Sequence, residues 1–178
     1  AEQGIYIEGP GARLDFDVGV VRGTRPRRDG TRGQGASAVA GAILSIRRTR
    51  LTGNTSFGLL AEDEGTLCEI RRSVVQDTAR GAGLDGVGLV ATSGATLRAE
   101  GSLLTRNTLV GVVGQDPGTR VELIGSAVRD TRPSDSNTFG RGVDLNRGAS
   151  LSGTHVLIER SAEVGLLLLG GSAAVTDL

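Results

Sequence analysis

The chain has 178 residues, 29 of them Gly, with twenty basic and twenty acidic residues that cancel, and one Tyr, three Phe and no Trp. The cancelled charge removes the long-range field that draws proteins to nucleic acid or anionic lipid, and no apolar run approaches the ~18 residues of a membrane-spanning helix, so neither partner is expected. The scarcity of rings excludes a core anchored on aromatic side chains and favours many tight turns with stacked aliphatic residues.

The first element, Gly4-Ile5-Tyr6-Ile7, reads as the last strand of a coil already under way. A long segment of one plan follows, Gly11–Ala40, and then a shorter one, Gly41–Glu64, that opens Gly-Ala-x-Leu. The same plan returns as Gly65–Ser93, Gly94–Pro117, Gly118–Arg147 and Gly148–Gly171, and Ala173-Ala174-Val175 begins another turn. Coils of 24 residues thus alternate with coils of 29 or 30, a super-repeat of about 54 residues. The fourth position of each coil is Leu14, Leu44, Cys68, Leu97, Val121 and Leu151, and the sixth is Phe16, Ile46, Ile70, Ala99, Leu123 and Gly153. The fifth, between them, is Asp15, Ser45, Glu69, Arg98, Glu122 and Ser152. Apolar, polar, apolar is the period of a strand with one buried face. An aliphatic eleventh position (Val21, Leu51, Val75, Leu104, Val128, Ile158) marks a second short strand, and a third follows the Gly column Gly35, Gly58, Gly88, Gly111, Gly142 and Gly165. That column predicts either positive φ or close packing. The fourteenth position (Thr24, Asn54, Thr78, Asn107, Thr131, Ser161) predicts a polar corner bonding the backbone or its counterpart one rung away. No stretch carries a helical period.

Leu51-Thr52-Gly53-Asn54-Thr55-Ser56-Phe57-Gly58-Leu59 and Leu104-Thr105-Arg106-Asn107-Thr108-Leu109-Val110-Gly111-Val112 carry the sequence aliphatic, Asn, then Gly-aliphatic. This pattern resembles the parallel β-helix repeat of the pectate-lyase-like superfamily, and the resemblance covers nearly the whole chain. It implies an all-β, right-handed parallel β-helix of about six coils with three short strands each, residues 1–178 forming one domain. A leucine-rich repeat competes on length, but its Leu-x-x-Leu-x-Leu spacing is absent. A chain with no Met that opens and closes in mid-coil is expected to be a segment of a longer array whose end rungs can associate end to end. Its basic residues are all Arg, as a GC-rich, bacterial genome produces.

Chemistry has three candidate places. The seventh position reads Asp17, Arg47, Arg71 and Glu100 on successive coils; Arg48 and Arg72 lie beside it, so Arg47, Arg48, Arg71 and Arg72 form a candidate anion patch. The loops that lengthen alternate coils leave one corner and form a candidate ligand-binding edge carrying Arg25, Arg27, Arg28, Arg32, Arg80, Asp85, Arg132, Asp135 and Arg141. The acidic turn Glu62-Asp63-Glu64 and Asp116 share a coil position two rungs apart, about 10 Å, too far for one cation to bridge.

The resemblance supplies no catalytic set. Asn54-Thr55 is followed by Ser56 and Asn107-Thr108 by Leu109, where polygalacturonase-like members carry Asn-Thr-Asp, and no Asp-Asp, Gly-His-Gly or Lys is present. His155 has no acidic neighbour in its own turn, and the four rings Tyr6, Phe16, Phe57 and Phe139 are few for stacking sugars. Cys68 stands alone in an aliphatic column and reads as a buried, inert thiol. No catalytic residue, metal or cofactor is therefore expected. The reading is a non-catalytic structural or binding scaffold within a larger secreted or cell-surface protein, with polysaccharide or another protein as partner. Its alternatives are a fragment of a carbohydrate-active enzyme (lyase, hydrolase or epimerase) with an incomplete site, and a trimeric fibre.

Overall fold

A computed structural model describes residues 1–28, 33–81, 86–135 and 138–177. In chain order the strands are β1 (Ile5–Glu8), β2 (Arg13–Arg22), β3 (Ala36–Val39), β4 (Ile43–Thr52), β5 (Phe57–Glu62) and β6 (Leu67–Arg71). They continue as β7 (Val74–Gln76), β8 (Val87–Thr92), β9 (Thr96–Glu100), β10 (Leu103–Thr105), β11 (Val110–Gln115) and β12 (Arg120–Ile124). The last are β13 (Ala127–Arg129), β14 (Arg141–Asn146), β15 (Ser150–Thr154), β16 (Leu157–Glu159), β17 (Leu166–Leu169) and β18 (Ser172–Thr176). Every named strand pairing is parallel. One sheet runs β1-β3-β5-β8-β11-β14-β17; the other runs β16-β13-β10-β7-β4-β6-β9-β12-β15-β18, with β2 on β4. All-strand and parallel, this is the architecture of a parallel β-helix.

The larger sheet covers two faces. The first half of β4 pairs with β6 (Leu44 opposite Cys68) and its second half with β7 (Leu51 opposite Val75). The corner between the halves is Arg48, at φ 47°, and the same corner recurs at Val18, Arg72, Gly101, Gly125 and His155, all at positive φ. A single left-handed residue turns the chain sharply while the strands on either side stay extended.

The interior is a set of in-register stacks. Leu14, Leu44, Cys68, Leu97, Val121 and Leu151 lie opposite one another in turn, as do Val21, Leu51, Val75, Leu104, Val128 and Ile158. Leu44, Ile46, Leu51, Ile70, Leu97 and Leu123 are all fully buried. Small residues close the gaps between these stacks, as Ala36 and Ala38 do on β3.

Two polar ladders run inside this apolar filling. At the fourteenth position Asn107 Oδ1 accepts the Thr78 N–H at 3.1 Å while its Nδ2 donates to the Val75 carbonyl at 3.1 Å; Asn54 serves Thr24 and Val21 one rung earlier in the same way. A hydroxyl ladder occupies the ninth position. The backbone N–H groups of Thr49, Ser73 and Ser102 donate to the hydroxyls of Ser73, Ser102 and Ser126, each on the next rung. The buried corner amides of Thr24, Thr49, Ser73, Thr78 and Ser102 are satisfied this way, as burial requires.

The Gly column is explained by packing. At Gly35, Gly58, Gly88, Gly111 and Gly142 the φ is not left-handed, and an added Cβ would stand 2.5–2.6 Å from the carbonyl oxygen of the column Gly on the next rung. Glycine stacks on glycine because nothing larger fits between consecutive carbonyls.

Cys68 lies fully buried in the fourth column, its Sγ 3.7 Å from the Leu60 carbonyl. Burial pushes its thiol from 9.0 up to about 12, against a smaller opposing effect from the Ala38 backbone hydrogen bond. The folded chain therefore holds this proton more tightly than the unfolded chain. The stability that goes with it is whole below pH 9.0 and lost as pH rises toward about 12. We expect an aromatic disulfide reagent at pH 8 to leave the native thiol untouched and to titrate one thiol per chain after denaturant is added; rapid reaction of the native chain would show that the column opens.

Candidate anion-binding site

Arg47 and Arg71 lie opposite each other on β4 and β6, and Glu100 follows Arg71 in register on β9. Arg48 and Arg72 occupy the left-handed corner that follows each strand segment, both at φ 47°. In-register strands stand about 4.8 Å apart, so four guanidinium groups gather within two rungs. They line one shallow depression of about 360 Å3, closed by Asp17, Glu100 and Gly101. The stem of Arg72 runs beside Gly101, its Cγ 3.8 Å from where a Cβ would stand.

The four arginines are not equivalent. Arg48 forms a two-pronged pair with Asp17, Nε to Oδ1 at 2.9 Å and Nη2 to Oδ2. Arg71 reaches Glu69 at 3.0 Å and Glu100 at 3.6 Å. Among the described residues Arg47 and Arg72 meet no carboxylate within ion-pair distance, and both are exposed. The hydrogen bond from Arg48 holds the Asp17 carboxyl below the usual carboxylate range, so it stays charged through neutral pH and well into acid. Counting Glu69 as well, positive charge remains in excess. Beyond the depression the charges close on themselves: Arg98 contacts Glu100 and Glu122. Asp77 pairs with Arg106 at 2.9 Å, and Asp130 with Arg160 at 2.6 Å. Arg106 and Arg160 share a second left-handed corner with Asp77 and Asp130, a charged column that the regular repeat could have revealed at its thirteenth position.

Among the described residues the loop-edge side chains are divided among separate contacts. Arg27 pairs with Glu2 at 2.6 Å and Arg132 approaches Asp77 at 3.8 Å. Arg25, Arg28, Arg80 and Asp135 are exposed on the surface, while Arg32 and Asp85 lie outside the described residues. Arg141 is half-buried against the outer face, held by Asp144 at 2.8 Å and Glu163 at 3.0 Å, with its guanidinium 4.7 Å from the centre of the Phe139 ring. The acidic turns bond the rung before them: Asp63 accepts the Ala40 N–H at 3.1 Å and Asp116 the Thr92 hydroxyl at 2.9 Å. Burial, and then Asp63 beside it, push the Glu62 carboxyl up. His155 is exposed at its corner, its Nδ1 3.4 Å from Asp177 on the following rung. Among the described residues no three His, Cys, Asp or Glu side chains stand where they could hold a metal ion, and no helix is long and apolar enough to cross a membrane.

Fold and site together define an all-strand, parallel-sheet solenoid with a cationic depression on one outer face. Comparison with protein-family models, with curated proteins and with solved structures finds no match.

Proposed function

We propose that this chain is a non-catalytic scaffold, a right-handed parallel β-helix within a larger secreted or surface-exposed protein, that grips a carboxylate or sulfate of a polyanionic partner through its arginine depression. One observation carries the reading: four arginines line a single depression in which, among the described residues, Arg47 and Arg72 have no carboxylate within ion-pair distance. A guanidinium fork matches a carboxylate or sulfate edge with two parallel hydrogen bonds. Right-handedness is the sense that parallel crossovers take in nearly every known sheet, and the aliphatic-Asn-Gly repeat supports a pectate-lyase-like architecture.

Calorimetric titration with an oligogalacturonate and with a neutral oligosaccharide of equal length tests this. The acidic ligand alone is expected to bind, with an affinity that falls as salt rises, and the double variant Arg47→Ala/Arg72→Ala is expected to lose about tenfold or more, the factor for one charge-assisted contact. Equal binding of both oligosaccharides, an unaffected double variant, or cleavage of the acidic chain would overturn the proposal.

A further inference from the structure

Outside the solenoid core lies a second apolar cluster. Leu60, Val90, Val113 and Asp144 occupy one column on β5, β8, β11 and β14, opposite each other in register and pointing away from the interior. Yet Leu60 and Val90 are nearly as buried as core residues, because Leu109 and the Phe57 and Phe139 rings pack over this face. The cover is incomplete. A groove of about 290 Å3 remains, walled by Phe57, Val90, Val113 and Phe139 and ending at Gln115 and Asp144.

Its polar end is unbalanced. Asp144 is 7% exposed; its Oδ2 takes the Arg141 hydrogen bond, while its Oδ1 is buried and receives none. Arg141 also serves Glu163, so one guanidinium is shared between two carboxylates and a negative charge is left over. A buried carboxylate oxygen without a donor is a rare and unfavourable arrangement that a bound donor would relieve. Phe139 already holds the Arg141 guanidinium 4.7 Å from its ring centre, and Phe57 supplies the second aromatic wall, a ring whose face is its negative side. Roughly 150 Å3 is room enough for one benzene ring, so the groove accepts a ring with a short polar arm.

We propose that this groove binds a small organic ammonium, its apolar body against Phe57, Val113 and Phe139 and its N–H donating to Asp144 Oδ1. The site is separate from the arginine depression and of opposite charge. Amide NMR titration of the whole chain with benzylammonium, benzyl alcohol and benzoate at one ionic strength tests it. Benzylammonium is expected to shift the Val113, Gln115 and Asp144 amides and to saturate, benzyl alcohol to bind about tenfold more weakly, the factor for one charge-assisted hydrogen bond, and benzoate to leave these three amides unchanged, any shift it causes falling at the arginine depression. Asp144→Asn should erase the preference for the ammonium. Val113→Phe should fill the groove and abolish binding while leaving the Arg141 pairs in place, so the proposal is tested even if the Asp144 variant does not fold. Benzoate or the alcohol shifting the groove amides as strongly as the ammonium, no shift of those amides by any of the three, or unchanged ammonium binding by Val113→Phe would overturn it.

Discussion

Gly111→Ala is expected to destabilise the chain by about 3 kcal/mol, at the upper end of what overfilling a packed interior costs. The new methyl would overlap Val128 Cγ1 and stand 2.6 Å from the Gly142 carbonyl oxygen. A side chain can rotate away; the carbonyl cannot, because it belongs to the next rung's backbone and moving it breaks β14 from β11. Gly125→Ala is the control. Gly125 has φ 53° and nothing within 4 Å of an added Cβ, so the cost there is only the left-handed backbone, about 1–2 kcal/mol. For a chain of this length each kcal/mol moves the melting midpoint by about 2–4 °C, so thermal or urea unfolding separates the two variants. Equal losses would mean that the Gly column is held by its backbone angle after all, and that the stacked-carbonyl account is wrong.

That contrast also shows which parts of this molecule were legible in its sequence. The interior columns were, because every rung must offer an aliphatic side chain at the same place or leave a hole, and Leu44, Leu97 and Val121 do so at fixed spacing. The polar corner was legible for the same reason: Asn54 and Asn107 must bond the backbone of the rung before them wherever they are buried. The cause of the Gly column was not. Positive φ and close approach both demand glycine, and only the position of the Gly142 carbonyl decides between them. The ninth-position hydroxyl ladder went unread because it lacks its end members, Gly19 at one end and Val156 at the other.

The same reasoning applies to the two candidate sites. Arg47, Arg48, Arg71 and Arg72 were neighbours by register alone, but which of them are satisfied depends on side-chain geometry that periodicity does not carry. The loop arginines scatter because insertions have no repeat to align them. The groove did leave a mark in the sequence. Gly58-Leu59-Leu60-Ala61, Gly88-Leu89-Val90-Ala91 and Gly111-Val112-Val113-Gly114 are unbroken apolar runs, the pattern of a strand covered on both faces. A strand with one wet face would have alternated.

The largest loss beside that of Gly111 is expected at Asn107. Asn107→Ala removes the acceptor for the Thr78 N–H, leaving that buried backbone donor unpaired, and takes away the side-chain donor to the Val75 carbonyl, which stays in the β7–β10 ladder. Such an orphan costs about 1–3 kcal/mol, so a loss of about 2–3 kcal/mol in urea unfolding is expected. Thr78 in the same column should behave in the opposite way. Its backbone N–H is what Asn107 satisfies, whereas its hydroxyl is buried and makes no hydrogen bond. Thr78→Val keeps the shape and the N–H and removes the orphan, so unchanged or slightly raised stability is expected. The pair therefore tests the ladder as a whole. If the column worked through hydroxyl-to-amide contacts between its own members, Thr78→Val would cost as much as Asn107→Ala. If it works through asparagines that each serve the backbone of the preceding rung, only the asparagine change should be felt.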